Sequence, residues 1–194
     1  CGIAYLDSPS EILPVALHYV GKPAYSEDAA DFKLAGAMLA KVRKDVRLFS
    51  STMIDDIAGG KACAFIGWSG DINIAAGRVK ETGGTDEIVP LLPTTGGLVF
   101  IDTMAIPADA KHVNNAHAFI DWYLRGENSA WMANEMNYPT ANNAGLEGTK
   151  PEIKGNTTIF LGQEDTDRLI PTGGYSNETS GTLNDTYNAF KRGK

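Results

Sequence analysis

Apolar runs and amphipathic stretches alternate along this 194-residue chain, and their boundaries outline its elements. Residues 2–6, Gly-Ile-Ala-Tyr-Leu, read as a short strand. The stretch Asp7-Ser8-Pro9-Ser10-Glu11 then carries the marks of a helix start. Ser8 stands as N-cap, Pro9 as first helical residue and Glu11 three places past the cap, which is a capping box. Ile12, Val15, Ala16 and Tyr19 recur at helical spacing. Gly21 and Pro23 end that helix. A second helix is predicted over residues 29–44, its basic last turn matching the helix dipole. A short third helix over 51–58 stops at Gly59-Gly60. Residues 62–68 are apolar throughout and read as a buried strand. Gly67 to Asp71 then turns into a helix over 72–81.

Further along, residues 87–92 and 97–106 are strand-like, with Pro93 and Gly96-Gly97 between them. Asn114 is placed to cap a helix through Leu124, and another starts near Asn128. Pro139 disfavours a helical residue before it, so that helix ends near Asn137. The stretch 142–156 is rich in Gly, Asn and Pro, and a last helix is predicted over 182–191. Strands alternating with helices give an α/β class. Regular structure is expected from the first residues, with no opening β-α unit, so the chain reads as part of a longer polypeptide.

Composition adds exclusions. Hydrophobic residues make up 43% and charged residues 21%, which is ordinary for a globular protein. The longest apolar runs fall well short of a bilayer span, and no signal peptide is expected at the start. A formal net charge of −7, with Lys41-Val42-Arg43-Lys44 as the longest basic cluster, argues against nucleic acid as a partner. A negative surface suits a cationic ligand, although many acidic proteins bind none. Two cysteines, Cys1 and Cys63, permit one disulfide, two separate thiols or a lipid-bearing Cys1.

Phosphate-loop and nucleophile-elbow signatures are missing. His112 and His117 lack a second ligand motif and read as surface residues, so no metal is expected. Asp55-Asp56 and Glu164-Asp165 are sequence neighbours. Neighbours point apart on a helix, so they read as solvated faces and not as an acid–base pair.

One pattern occurs twice, an aromatic followed closely by a carboxylate at a strand end: Trp68-Ser69-Gly70-Asp71 and Phe100-Ile101-Asp102. Residues two apart in a strand share a face, which would present Phe100 and Asp102 to one pocket. An alkylammonium ligand needs such groups. Its methylenes pack on rings, with cation–π contacts of about 0.5–2 kcal/mol, and its charged ends hydrogen-bond to carboxylates. The residues alone leave the other reading open, with Trp68 and Phe100 as core, Asp71 as a helix cap and Asp102 as a turn acceptor.

Several motifs occur together, in order: residues 5–11 (Tyr-Leu-Asp-Ser-Pro-Ser-Glu), 66–71 (Ile-Gly-Trp-Ser-Gly-Asp), 100–111 from Phe-Ile-Asp to Ala-Lys, and 138–142 (Tyr-Pro-Thr-Ala-Asn). With them the chain resembles the periplasmic polyamine-binding proteins, the putrescine-binding type above all. The resemblance implies a two-lobed periplasmic-binding-protein-like α/β fold (type II) with ligand clamped in the cleft. It implies that Trp68 and Phe100 sandwich the methylene chain, that Asp71 and Asp102 bind the ammonium ends, that Glu11 is a further acidic contact and Tyr138 a hinge-side aromatic. For Glu11 the capping box competes with that role. A carboxylate at Asp71 fits the putrescine type better than spermidine-preferring relatives. Cys1 and Cys63 fall where that type has a disulfide.

Members of that family are about twice this length. By resemblance, residues 1–82 are the first part of the second lobe, 83–148 belong to the first lobe and its hinge crossings, and 149–194 return to the second lobe. The amino-terminal half of the fold is missing, so weak or no binding is expected of the chain alone. The implied protein is a periplasmic receptor and not an enzyme. It would be a monomer at full length, without cofactor, handing putrescine or a related polyamine to an ABC transporter permease in the inner membrane. Alternatives are a receptor of the same fold for spermidine or another cation, a polyamine sensor, or a hydrolase using the same carboxylates.

Overall fold

The computed structural model describes residues 1–193; Lys194, the last residue of the expected returning segment, lies outside them. Strand β1 (Ile3–Leu6) passes through Asp7 and Ser8 into α1 (Pro9–Tyr19). Helix α2 (Ala29–Val42) follows, and a single 3-10 turn leads into β2 (Val46–Ser50). Then come α3 (Met53–Ala58), β3 (Ala64–Ile66) and α4 (Ser69–Glu81). The three strands are parallel in the order β2-β1-β3. Each is followed by a helix, the arrangement of α/β folds.

The second part holds β4 (Gly97–Val99), α5 (Val113–Tyr123), α6 (Gly126–Met136), α7 (Asn143–Gly148), α8 (Pro151–Lys154), α9 (Gln163–Thr166), β5 (Leu169–Pro171) and α10 (Asn177–Arg192). β4 and β5 pair in parallel.

The core gathers around β1, which has a neighbour on each side and therefore buries Ala4, Tyr5 and Leu6. Helices α1, α2 and α10 pack on one another, contributing Leu13, Leu17, Phe32, Leu39, Leu183, Tyr187 and Phe190. Tyr5, Phe49, Tyr187 and Phe190 meet mostly edge to face, the geometry that aromatic quadrupoles favour. The Tyr187 hydroxyl donates to the Leu6 carbonyl, which fastens α10 to the end of β1.

Several sequence expectations shift in the fold. The buried stripe of α1 runs through Ile12, Leu13, Ala16 and Leu17, while Tyr19 is 63% exposed. The apolar run at 62–68 forms a strand only at Ala64–Ile66, and its pattern is exposed, half-buried, exposed. The reason is its position: β3 is an edge strand, with β1 on one side and no further strand on the other among the described residues. The run 97–106 keeps strand geometry only as far as Val99, where pairing with β5 ends. Residues 87–92 form no strand. Asp56, expected on a solvated face, is 3% exposed. It accepts hydrogen bonds from Ser50 and Thr52 and pairs with Lys61, which together hold its carboxyl below the usual carboxylate range, the Lys61 contact foremost.

Helix α10 starts five residues earlier than the pattern predicts because a distant group caps it. Ser176 accepts from the Thr179 amide at 3.2 Å. The Glu27 carboxylate in turn accepts from the Ser176 amide at 3.0 Å and from the hydroxyls of Ser176 and Thr179. An anion at a helix amino terminus is favoured, and the hydrogen bonds from Thr179 and Ser176 hold Glu27 below its ordinary range.

Cys1 and Cys63 form a disulfide with Cα atoms 5.5 Å apart, within the usual range. It ties the start of β1 to the approach to β3, where the Cys63 amide also donates to the Gly2 carbonyl at 2.9 Å. The bridge closes a sequence separation of 62, worth on the order of 4 kcal/mol in chain entropy. Thiol titration of the denatured, unreduced chain should find no free cysteine. Cys63→Ser should lower the unfolding free energy by roughly 2–4 kcal/mol in a denaturant titration.

Candidate functional site

Parallel strands place all their carboxyl ends on one side, and in α/β sheets that side is where ligands bind. β1 and β3 are neighbours with Tyr5 opposite Ile66. The turns that leave them, into α1 and α4, therefore sit side by side. Glu11 lies in the first turn of α1; Trp68 is the N-cap residue of α4 and Asp71 lies in its first turn.

Glu11 takes no part in a capping box. The Ser8 side chain makes no cap bond and lies 3.3 Å from the Ser10 hydroxyl. The Trp68 indole Nε1 instead donates to Glu11 Oε1 at 3.0 Å. A hydrogen bond to a charged group contributes about 1.5–3 kcal/mol, enough to fix the ring of the half-buried Trp68. The other oxygen, Oε2, is buried with no hydrogen-bond partner among the described residues. A buried acceptor in that state costs about 1–3 kcal/mol and calls for a donor.

Asp71 is half-buried, and desolvation pushes its carboxyl above the ordinary range. Tyr138, just after α6, reaches the same helix start. Asn137 ends α6 with φ 54°, in the left-handed region, and this turns the chain toward α4. The Tyr138 ring lies against Gly70: a Cβ there would fall 2.2 Å from Cε2 and 2.4 Å from Cζ. Only glycine leaves room. The Tyr138 phenol is pushed up to about 12, by burial first and then by the Asp71 charge, with Asp102 adding a smaller push against the backbone amides of Asp71 and Gly70. One phenol thus senses both carboxylates.

Phe100 and Asp102 lie beyond the end of β4, in chain without regular structure. The strand argument for their common face therefore does not hold. Phe100 is 45% exposed, and its ring is paired neither with Trp68 nor with another ring among the described residues. The fold thus gathers Glu11, Trp68, Asp71 and Tyr138, links Asp102 to them electrostatically, and leaves Phe100 at the surface. Gly70 escaped the sequence reading as a site residue; its only signal was its place between Trp68 and Asp71.

The environment of Glu11 and Asp71 differs from that of the buried Asp31 and Asp56. Asp7, Asp31, Asp55, Asp56 and Asp165 each face a lysine or arginine. Glu11, Asp71 and Asp102 have no ion-pair partner among the described residues. Glu11 and Asp71 beside an indole and a phenol, with Asp102 within electrostatic reach of that phenol, can receive an external cation.

Residues 3–160 match the family described as bacterial extracellular solute-binding protein. The chain is 34% identical over 172 residues to the putrescine/agmatine-binding protein of Pseudomonas aeruginosa, covering 88% of this chain and 47% of that protein. It is 35% identical over 162 residues to the putrescine-binding periplasmic protein PotF of Escherichia coli (strain K12), covering 82% and 44%. Its fold superimposes with a TM-score of 0.77 on the spermidine/putrescine ABC transporter substrate-binding protein PotD from Streptococcus pneumoniae, at 22% identity, covering 99% of this chain and 58% of the other. The chain spans about half the length of the curated relatives it matches.

Gly70→Ala should expel the Tyr138 ring at a cost of about 1–3 kcal/mol of overpacking. Spectrophotometric titration should then gain one tyrosine ionising near the ordinary value of 10.0 in place of one near 12.

Proposed function

We propose that this chain, which belongs to the bacterial extracellular solute-binding protein family, is part of a periplasmic receptor that captures a linear polyamine, putrescine first, for an ABC-type importer. One observation carries the reading: Glu11 Oε2 is buried without a donor and Asp71 is desolvated without a cation, while the buried Asp31 and Asp56 are paired with Lys22 and Lys61. A sugar ligand needs hydroxyl partners and no such excess of negative charge. A diamine needs anions at two ends and apolar faces between them. The printed names of the relatives, putrescine-binding and spermidine/putrescine-binding among them, support the same chemistry.

In this reading Trp68 and Phe100 close on the methylene chain, Asp71 and Asp102 take the ammonium ends, Glu11 Oε2 accepts a further N–H, and Tyr138 lines the hinge side. Phe100 reaches Trp68 only when the cleft closes, a hinge motion that a ligand favours by binding the closed state more tightly. The receptor acts by capture and release, without turnover.

The segment 83–148 belongs in this reading to the first lobe, and 149 onward returns to the second. Support comes from α5, which has no buried residue and carries stacked Phe119 and Trp122 rings, 57% and 41% exposed. Such a face suits a lobe whose other half lies outside this chain.

In a polypeptide of the relatives' full length, Asp102→Asn should weaken putrescine binding at least tenfold by calorimetry; unchanged affinity would defeat the assignment. The present chain alone should bind weakly or not at all. Trp122 should be quenched by iodide in this chain and shielded in the longer one, and equal quenching in both would refute the lobe assignment.

A further inference from the structure

Asp71 also lines a groove that Trp68 does not. This groove of about 180 Å³ runs between α4 and the start of α3, with Thr52 and Asp55 on one wall and Asp71 and Arg78 on the other. Arg78 lies two helical turns beyond Asp71 on the same helix, about 10 Å along its axis. Its Nη1 donates to Asp55 Oδ1 at 2.9 Å, so the guanidinium stands at the far end of the groove.

We propose that Arg78, held in place by Asp55, is a specificity residue that bars a third ammonium from this groove and so selects diamines over longer polyamines. The inference rests on the polyamine reading above and extends it. A diamine anchored at Asp71 has no charge to place in the groove. A triamine entering from Asp71 carries its next ammonium part of the way toward Arg78, where Asp55 is already neutralised by the guanidinium and no free carboxylate meets that charge. Arginine keeps its proton throughout the physiological range, so the barrier is permanent. Leaving a competitor's charge without a partner is one of the ways a site discriminates. Asp55 has two potential roles: with Arg78 in place it is spent on the guanidinium, and without Arg78 it becomes the carboxylate that a third ammonium would meet.

The test uses a polypeptide of the relatives' full length and two probes, putrescine and spermidine, by calorimetry at fixed salt. Arg78→Gln should raise the ratio of spermidine to putrescine affinity by about fivefold or more. Adding Asp55→Asn to that variant should cancel the gain. Lys80→Gln removes the same charge from the exposed side of α4, outside the groove, and should leave the ratio where it was. An unchanged ratio in Arg78→Gln with putrescine still bound overturns the filter and leaves the polyamine reading intact. Equal rises for Arg78→Gln and Lys80→Gln would reduce the effect to bulk charge and overturn it as well. Loss of both ligands in Arg78→Gln would show Arg78 to be a support of the site and no filter. Failure of the unsubstituted protein to bind either amine would instead bring down the polyamine reading itself.

Discussion

The parallel pairing of β1 with both β2 and β3 is the constraint from which the rest follows. Parallel strands force each connection to cross back by a helix, so every turn after a strand emerges at the same end. Glu11 after β1, the Thr52–Asp55 turn after β2 and Trp68 to Asp71 after β3 are thereby collected without being neighbours in the chain. The disulfide and the Cys63 to Gly2 hydrogen bond brace β1 and β3 at the opposite end, where β1 begins. Pairing at one end and chemistry at the other is a division that lets the site carry strain the core need not share.

That strain is electrostatic. The buried carboxylates of the core are satisfied in kind, Asp56 by Lys61 and two hydroxyls and Asp31 by Lys22 and Ser26, and the exposed Glu27 is satisfied by the amino terminus of α10. In the site the accounting changes sign. Asp71 is desolvated without a cation, and Glu11 Oε2 is buried without a donor. Uncompensated groups of this kind lower stability, and proteins keep them where a ligand completes the set. In the function proposed above, a dication is what completes them.

The indole–carboxylate bond between Trp68 and Glu11 also joins two roles in one contact. It orients the ring, and it uses one oxygen of Glu11 while leaving the other free. Tyr138 adds a link from α6 to the start of α4, through a contact that tolerates only glycine at position 70. Ring, acid and phenol are thus held by groups from three separate segments of the chain.

Much of this was legible in the sequence, because short-range physics writes it there. The βα alternation, the helix after Ser8, the turn at Gly67 to Asp71 and the aromatic–carboxylate pattern depend on residues within a few places of one another. The motifs at residues 5–11, 66–71, 100–111 and 138–142 pointed to the family that residues 3–160 match. What only the tertiary structure decided involves partners far apart in the chain. Glu11 satisfies every local rule of a capping box, yet its carboxylate goes to an indole 57 residues away. β3 reads as buried, but burial of a strand depends on neighbours that its own residues do not specify. α10 begins at Asn177 because Glu27, 149 residues before Ser176, supplies its cap. Local sequence states which conformations and chemistries are available; the long-range contacts formed on folding select among them.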